Sequence, residues 1–191
     1  SYEDVSWYLG AKPSISKVGV LEKISGGKIK RRVIVDSKRS GVSPATRKHE
    51  RIVLPRVLDV VYDTLYQLSE VRKTRRQDLI TEWFVLDFAN AFFIVPLAVE
   101  ERRFFVIKLA QHFYVFKVQA QGAGLSPLIW GRVAALISRL TQCLFHNSEA
   151  LLQTFVDDPC FVLTGNRRCI DAAMATIVLI WRCLGFPLSF R

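Results

Sequence analysis

Three aspartates follow apolar segments of the kind that form buried strands. Asp87 comes directly after the apolar run 83–86, and Asp157 and Asp158 come directly after Phe155-Val156. Charged groups at the ends of buried strands are costly unless a cation pairs with them, and the pair at 157 and 158 has no Lys or Arg within eight residues on either side. Carboxylate oxygens without Cys or His select Mg²⁺ or Mn²⁺. A divalent cation site and a structural Asp turn explain these residues equally well by composition alone.

The adjacent pair of aspartates predicts a turn. Neighbouring side chains on a strand point to opposite faces, so Asp157 and Asp158 cannot both reach one ion from a regular strand. We therefore expect the pair at a hairpin turn, with one of the two as the main ligand. Two carboxylates that converge from separate strands can hold two ions, which stabilise the attacking and leaving oxygens of an in-line phosphoryl displacement.

The positive charge of the chain is concentrated in one segment. The whole sequence has a net charge of +10, and the segment from Lys28 to Arg56 holds ten Lys and Arg residues against Asp36 and Glu50 alone. The β-branched run Val33-Ile34-Val35 predicts a strand, with basic residues at both of its ends. A solvated basic face, a localisation-type cluster and a contact surface for a polyanion are all compatible with this pattern.

Composition excludes several classes of protein. The 191 residues are 50% hydrophobic and 23% charged, which is the profile of a chain that folds around a core. The longest strongly apolar run, 172–181, is shorter than the roughly 20 residues of a membrane-spanning helix. Four cysteines without a CxxC pair and three scattered histidines predict no zinc site and favour reduced thiols in an intracellular protein, cytoplasmic or nuclear. Because the chain begins at Ser1 and stops at Arg191 without a tail signal, we expect a piece of a longer polypeptide.

Hydrophobic spacing predicts an α+β fold in which a mixed, largely antiparallel sheet has helices packed on one face. Residues 1–27 are expected to be rich in loops. The predicted elements after them are a basic hairpin at 28–43, helices at 55–71, 127–146 and 169–184, and strands at 83–86, 104–109, 113–118, 153–156 and 161–163.

Four segments, taken together, resemble the motifs of reverse transcriptases from retroviruses and LTR retrotransposons. Residues 84–97 resemble the first palm motif, in which an Asp is followed five positions on by an aromatic residue and then by Pro-Leu. Residues 121–127 resemble the second motif, a Gln-Gly and then a Ser-Pro that opens a helix. Residues 155–158 resemble the aromatic-x-Asp-Asp hairpin, and residues 32–36 resemble the basic strand of the fingers. The segment 184–189 is similar to the one that follows the last palm helix.

The resemblance implies the fingers and palm of a right-hand polymerase, with a fingers-like region at 1–82 and a palm at 83–191. It implies an RNA-directed DNA polymerase of a retroelement that binds a template with its primer and deoxynucleoside triphosphates and uses two Mg²⁺ or Mn²⁺ ions. The thumb and ribonuclease H regions of a longer polyprotein would be missing. One alternative is an inactive remnant that keeps the fold and binds nucleic acid, and a second is another metal-dependent phosphoryl-transfer enzyme such as a nuclease.

The resemblance also assigns roles to individual residues. It makes Asp87 and Asp157 metal ligands and Asp158 a more peripheral carboxylate. The other expected roles are a clamp on the triphosphate for Arg32 and Lys30, the floor under the sugar for Phe92, the nucleotide pocket for Gln121 and Gly122, and phosphate contacts for Lys38 and Arg39.

These roles have plain structural alternatives. Phe92 is equally suited to core packing, and Gln121 to a solvated loop. Ser126-Pro127 also reads as the N-cap and first residue of a helix. Two features depart from the family, since Pro159 follows the aspartate pair and Phe155 stands where Tyr is common.

Overall fold

The computed structural model describes residues 1–25, 27–47 and 49–189 and divides into two compact units. The first unit consists of Ser1–Arg51 and Phe92–Ile129, and the second consists of Ile52–Ala91 and Trp130–Arg191. The division at residue 82 stays a prediction about domains, and the compact units follow other boundaries. Lys48, which belongs to the basic segment, lies outside the described residues.

The helices and strands alternate irregularly along the chain. The α-helices are α1 (Tyr2–Leu9), α2 (Val42–Ala45), α3 (Val57–Thr74), α4 (Ala91–Ile94), α5 (Ser126–Gln142) and α6 (Arg167–Cys183), with a 3₁₀ helix at Val99–Phe104. The strands are β1 (Ile15–Ser25), β2 (Lys28–Asp36), β3 (Ile80–Val85), β4 (Val106–Leu109), β5 (His112–Val115), β6 (Ala150–Phe155) and β7 (Asp158–Gly165). The three long predicted helices are confirmed, with ends shifted by a few residues.

The first unit contains a four-stranded sheet in the order β2-β1-β4-β5, in which only β1 and β4 run parallel. The expectation that residues 1–27 are loop-rich is wrong, because they form α1 and β1. Local signals for α1 were present in the sequence. The Ser1 hydroxyl accepts a hydrogen bond from the N–H of Asp4, and Gly10 ends the helix with a left-handed φ of 59°.

The basic strand β2 was predicted, but its hairpin partner was not. β2 pairs antiparallel with the preceding strand β1, whereas the chain after Asp36 turns into the short helix α2. The expected hairpin over 28–43 is therefore corrected to a hairpin of β1 and β2. Val35 anchors it in the core of the first unit together with Leu97, Phe105 and Ile107.

The second unit contains a separate antiparallel sheet in the order β3-β7-β6. On its central strand, Phe161, Val162 and Leu163 are each only 1% exposed, so both faces of the sheet are covered. The predicted combination of helices with a mixed sheet is confirmed, but the strands form two sheets instead of one. The expectation of helices on one face is wrong for the sheet of the second unit, which is covered on both faces. A strand with three consecutive apolar residues needs cover on both sides, because successive side chains point to opposite faces.

Two different helices supply that cover. On one face the Trp181 ring of α6 packs against Phe161, with ring centroids 5.7 Å apart. On the other face the indole N–H of Trp83 donates to the Thr64 hydroxyl of α3 over 3.1 Å. The Gln153 amide also donates to the Asp63 carboxylate of α3 over 2.8 Å.

An aromatic cluster fixes the segment that follows β3. The Phe88 ring stacks on Trp181 with a centroid distance of 4.8 Å and meets Trp130 edge-on at 5.0 Å. Both tryptophans are fully buried, and the Trp181 indole N–H donates to the Thr141 hydroxyl over 2.6 Å. The residue before Phe88 is Asp87, so the buried rings hold the backbone of this aspartate in place. No helix within residues 1–25, 27–47 and 49–189 is long and apolar enough to cross a membrane.

Candidate functional site: a carboxylate turn and a basic strand

The aspartate pair lies at a tight hairpin turn, as predicted. Phe155 at the end of β6 pairs with Asp158 at the start of β7, which leaves Val156 and Asp157 as the loop. Val156 has a left-handed φ of 56°, an unusual value for a β-branched residue. Its carbonyl accepts a 2.8 Å hydrogen bond from the indole N–H of the buried Trp130. Strained backbone that its surroundings hold in place is frequent at functional sites.

The backbone brings Asp87 beside this turn. The paired register of β3 and β7 ends at Val85 opposite Cys160, but two further hydrogen bonds extend it. The N–H of Leu86 donates to the Pro159 carbonyl over 3.0 Å, and the N–H of Phe88 donates to the Asp157 carbonyl over 3.3 Å. Continuation of the register therefore places Asp87 opposite Asp158.

The other side of Asp87 is held as well. Its carbonyl accepts a 2.8 Å hydrogen bond from the N–H of Ser189, and Phe88 forms an isolated bridge with Leu188. The segment 184–189, singled out from its similarity to a palm segment, thus supports the backbone of a predicted site residue. Asp87 is consequently fixed between this segment and the β6–β7 hairpin.

Exposure differs among the three aspartates. Asp87 and Asp157 are half-buried, whereas Asp158 is exposed. Within the described part of the chain, no group of three or more His, Cys, Asp or Glu side chains is arranged to hold a metal ion. The hard oxygen donors suit Mg²⁺ or Mn²⁺, and like charges on opposite strand positions repel one another. The structure thus brings three carboxylate-bearing residues together through the backbone, without grouping their side chains around one point.

The loop at Gln121 and Gly122 is tied to the end of β2 within the first unit. The N–H of Val35 donates to the Gln121 carbonyl over 2.9 Å, and the Ser37 hydroxyl donates to the Gly122 carbonyl over 2.7 Å. Gly122 has a φ of 98°, and a Cβ there would lie 2.2 Å from the Val35 carbonyl oxygen. Gly122 is therefore required by its close approach to β2.

Ser126 plays a different structural role from the predicted one. It is the first residue of α5, and its buried hydroxyl donates to the Gln119 side-chain oxygen over 2.9 Å and to the Ala120 carbonyl over 3.0 Å. The N-cap interpretation is therefore wrong. The hydroxyl is used to hold the preceding segment 119–120, which leads into the loop at Gln121.

The β1–β2 register sorts the basic residues onto two faces. Lys30 lies opposite Lys23 and Arg32 lies opposite Leu21, so Lys23, Lys30 and Arg32 share one exposed face, here named the basic face. Arg31 points to the other face, where its Nε donates to the Glu22 carboxylate over 2.7 Å. Sequence reasoning missed Lys23, because its membership in this face depends on the pairing partner of β2.

The remaining predicted residues occupy simple positions. Lys38 and Arg39 are exposed in the turn after β2, where the N–H of Arg39 donates to the Asp36 carboxylate over 3.0 Å. Phe92 is half-buried in α4. In the second unit, burial and, to a smaller extent, the nearby Asp63 carboxylate raise the pKa of the Cys160 thiol above its ordinary value.

Comparison with known proteins supports the fold and no more. No protein-family model and no curated protein sequence matches the chain. Among solved structures, the fold is similar to a foamy viral protease-reverse transcriptase in complex with double-stranded DNA, with a TM-score of 0.64 and 14% sequence identity. The similarity covers 92% of this chain, which spans 26% of the foamy viral chain. The chain thus has a mixed α and β fold similar to that of a reverse transcriptase.

Proposed function

We propose that this chain is the fingers and palm portion of an RNA-directed DNA polymerase of a retroelement. It would join the 3′-hydroxyl of a primer to the α-phosphate of a deoxynucleoside triphosphate. The observation that carries the proposal is the placement of Asp87 opposite Asp158, with Asp157 in the adjoining turn. The reverse-transcriptase-like fold supports the same reaction class.

The carboxylates are proposed to bind two Mg²⁺ or Mn²⁺ ions. Asp87 and Asp157 would be the main ligands, and the exposed Asp158 a more peripheral one. When bound, the ions would stabilise the attacking and leaving oxygens of the displacement. The buried rings of Trp130 and Phe88 orient the ligand-bearing backbone, which limits the reorganisation that binding requires.

The first unit is proposed to supply the nucleotide and template contacts. Arg32 and Lys30, together on the basic face, would bind the triphosphate, because a guanidinium offers two parallel donors to phosphate. Gln121 and Gly122 would belong to the nucleotide pocket. Lys38 and Arg39 would contact template phosphates from the turn after β2, and Phe92 would lie under the sugar.

Further partners follow from this proposal. The substrates would be an RNA or DNA template with its primer and deoxynucleoside triphosphates. Because the chain spans 26% of the foamy viral chain, we propose that thumb and ribonuclease H regions belong to the same polyprotein. Synthesis would take place inside a host cell, in the cytoplasm or the nucleus.

Primer extension on an RNA template tests the proposal. The polypeptide that carries this chain is assayed with Mg²⁺ in three forms: unchanged, with Asp157→Asn, and with Glu3→Gln. The last is the matched control, because Glu3 lies on the exposed first turn of α1. We expect Asp157→Asn to abolish extension and to leave template binding nearly intact. Extension that survives Asp157→Asn would place the ions elsewhere. Template binding without any extension by the unchanged polypeptide would favour the inactive remnant.

A further inference from the structure

We propose that the first unit contains a binding site for a small, uncharged and largely apolar molecule that carries a carbonyl group. The site is a cavity beside the loop at Gln121 and Gly122, here named the loop cavity. The side-chain amide of Gln119 would donate a hydrogen bond to the carbonyl oxygen of the ligand. This site is built from the first unit alone and does not depend on the proposed polymerase reaction.

The loop cavity reaches from the surface into the core of the first unit. It has a volume of about 690 Å³, and its wall includes the exposed Ala98 as well as Leu97 and Phe105 of the core. Other apolar residues of the wall are Val42, Pro96, Phe104, Leu125 and Ile129. Protein interiors hold few voids larger than a water molecule, whereas ligand sites are mostly apolar cavities of roughly 300 to 1,000 Å³. The loop cavity therefore has the size and the lining of a small-molecule site.

The charges on the wall favour an uncharged ligand. Among the described residues of the wall, the charged ones are Arg47 and Glu101, and both are exposed. Their charges are opposite, so the wall has no net charge. A charged ligand would lose its hydration in the apolar interior of the cavity without gaining a partner of opposite charge there.

The hydroxyl groups on the wall already donate to backbone carbonyls. The Ser14 hydroxyl donates to the Ser40 carbonyl over 3.5 Å, and the Ser40 hydroxyl donates to the Ser37 carbonyl over 3.2 Å. The Thr46 hydroxyl donates to the Val42 carbonyl over 2.7 Å. A ligand that accepts a hydrogen bond would therefore have to displace one of these bonds or find another donor.

Gln119 provides such a donor. It is only 5% exposed, and its backbone N–H donates to the Val95 carbonyl over 2.9 Å. Within the described residues its side chain makes one hydrogen bond, in which Oε1 accepts from the Ser126 hydroxyl over 2.9 Å. Gln119 lines the cavity and Ser126 does not, which places the NH₂ group on the cavity side. A buried donor without an acceptor is costly, and the carbonyl oxygen of a ligand would satisfy it.

The loop cavity contacts the chain on both sides of the loop at Gln121 and Gly122. Gln119 precedes the loop and residues 123–125 follow it, and all of them line the cavity. A ligand that binds the folded form stabilises the segments that it contacts. We therefore expect a bound ligand to slow the local opening of this loop, which hydrogen exchange measures.

Titration with the fluorescent dye prodan tests the site without Mg²⁺, nucleotides or primer extension, so its failure is distinct from failure of the polymerase reaction. Prodan is an uncharged naphthalene with one ketone, and its emission shifts to the blue in apolar surroundings. Dimethylaminonaphthalene, which lacks the ketone, is the matched probe. We expect the unchanged chain to bind one prodan molecule with a blue shift and with slower hydrogen exchange in residues 119–125.

A cavity-filling variant tests the location of the site. Ala98→Phe adds a ring from the exposed part of the wall and should abolish binding of both probes. Ala175→Phe is the matched control, because Ala175 is exposed on α6 in the second unit, and it should leave binding unchanged. Prodan binding that survives Ala98→Phe, or no binding by the unchanged chain, would overturn the proposal.

Gln119→Met tests the role of the amide. Methionine has a similar length but no NH₂ group, and Ser126 keeps the Ala120 carbonyl as an acceptor. The affinity for prodan relative to the ketone-free probe should fall about threefold to tenfold, the contribution of one neutral hydrogen bond. In the unchanged chain, the NH₂ resonances of Gln119 should shift with prodan and not with the ketone-free probe, which decides the point even if the variant fails to fold. An unchanged affinity ratio, or equal shifts with both probes, would overturn the role of Gln119.

Discussion

Asp87 lies opposite Asp158 when the register of β3 and β7 is continued beyond its last pair, Val85 and Cys160. The formal pairing ends at Val85 because Pro159 has no N–H to return the hydrogen bond that its carbonyl accepts from Leu86. One hydrogen bond therefore joins Leu86 and Pro159, and the next bond between the two segments is the one that the N–H of Phe88 donates to the Asp157 carbonyl. The departure at Pro159 changes the bonding pattern without separating the aspartates.

Mg²⁺ or Mn²⁺ should stabilise the chain through Asp157. Ligands that bind only the folded state add about 1.4 kcal/mol at ten times their Kd, which corresponds to a rise of roughly 3 to 6 °C for a chain of this size. Thermal melts with and without the divalent ion measure the effect. Asp157→Asn should lose the ion-dependent rise, and NaCl at matched ionic strength should not reproduce it. An equal rise in both proteins would contradict a site at this residue.

Arg32 and Arg31 should differ sharply in nucleotide binding. Arg32 lies on the basic face with Lys30, whereas Arg31 is on the opposite face and paired with Glu22. Arg32→Gln should weaken binding of a deoxynucleoside triphosphate about tenfold or more, since a charge-assisted hydrogen bond contributes about 1.5 to 3 kcal/mol. Arg31→Gln is the control. If an equilibrium titration showed the same loss of nucleotide affinity for Arg31→Gln and Arg32→Gln, nucleotide binding would depend only on the net charge of the chain.

Gly122→Ala should destabilise the chain strongly. The new Cβ would lie 2.2 Å from the Val35 carbonyl oxygen, at a φ of 98° that alanine rarely adopts. We expect a loss of roughly 3 kcal/mol in the free energy of unfolding. Gly131→Ala, with nothing within 4 Å inside α5, should instead stabilise by about 0.5 to 1 kcal/mol. Denaturant melts compare the two, and similar values for both would refute the close approach.

Phe92→Val should relax the choice of deoxynucleotides over ribonucleotides. An aromatic ring under the sugar leaves no room for a 2′-hydroxyl and offers it no hydrogen bond. Competition between the two nucleotides at one template position, in the active polypeptide, measures this preference, and Phe92→Tyr should be nearly silent. Since Phe92 is half-buried, a loss of stability with unchanged discrimination would identify it as a packing residue.

Cys160 should alkylate more slowly than the exposed Cys143. Burial raises the pKa of the Cys160 thiol, so a smaller fraction is thiolate at a given pH. Its reaction with iodoacetamide, followed by peptide mass spectrometry, should keep accelerating as the pH rises above the ordinary thiol pKa of about 8.5. Asp63→Asn should move this profile to slightly lower pH, because the carboxylate opposes the thiolate. Identical profiles for Cys160 and Cys143 would contradict the burial effect.

Several features of this protein were determined by local sequence. The spacing of apolar residues in α3, α5 and α6 fixed the long helices, because one face of each must meet a core. The adjacent aspartates after an apolar strand predicted the turn at Val156 and Asp157, since a regular strand cannot point both side chains the same way. The concentration of charge around β2 was visible directly from composition.

Other features were decided only by tertiary structure. The partner of β2 is the preceding strand, which moves Lys23 onto the basic face and Arg31 off it. The sheet of the second unit is covered on both faces, because α3 packs on one of them. There Thr64 and Asp63 of α3 accept hydrogen bonds from the side chains of Trp83 and Gln153. These outcomes depend on contacts between residues distant in sequence, and a one-dimensional pattern of apolar residues does not specify which segments meet.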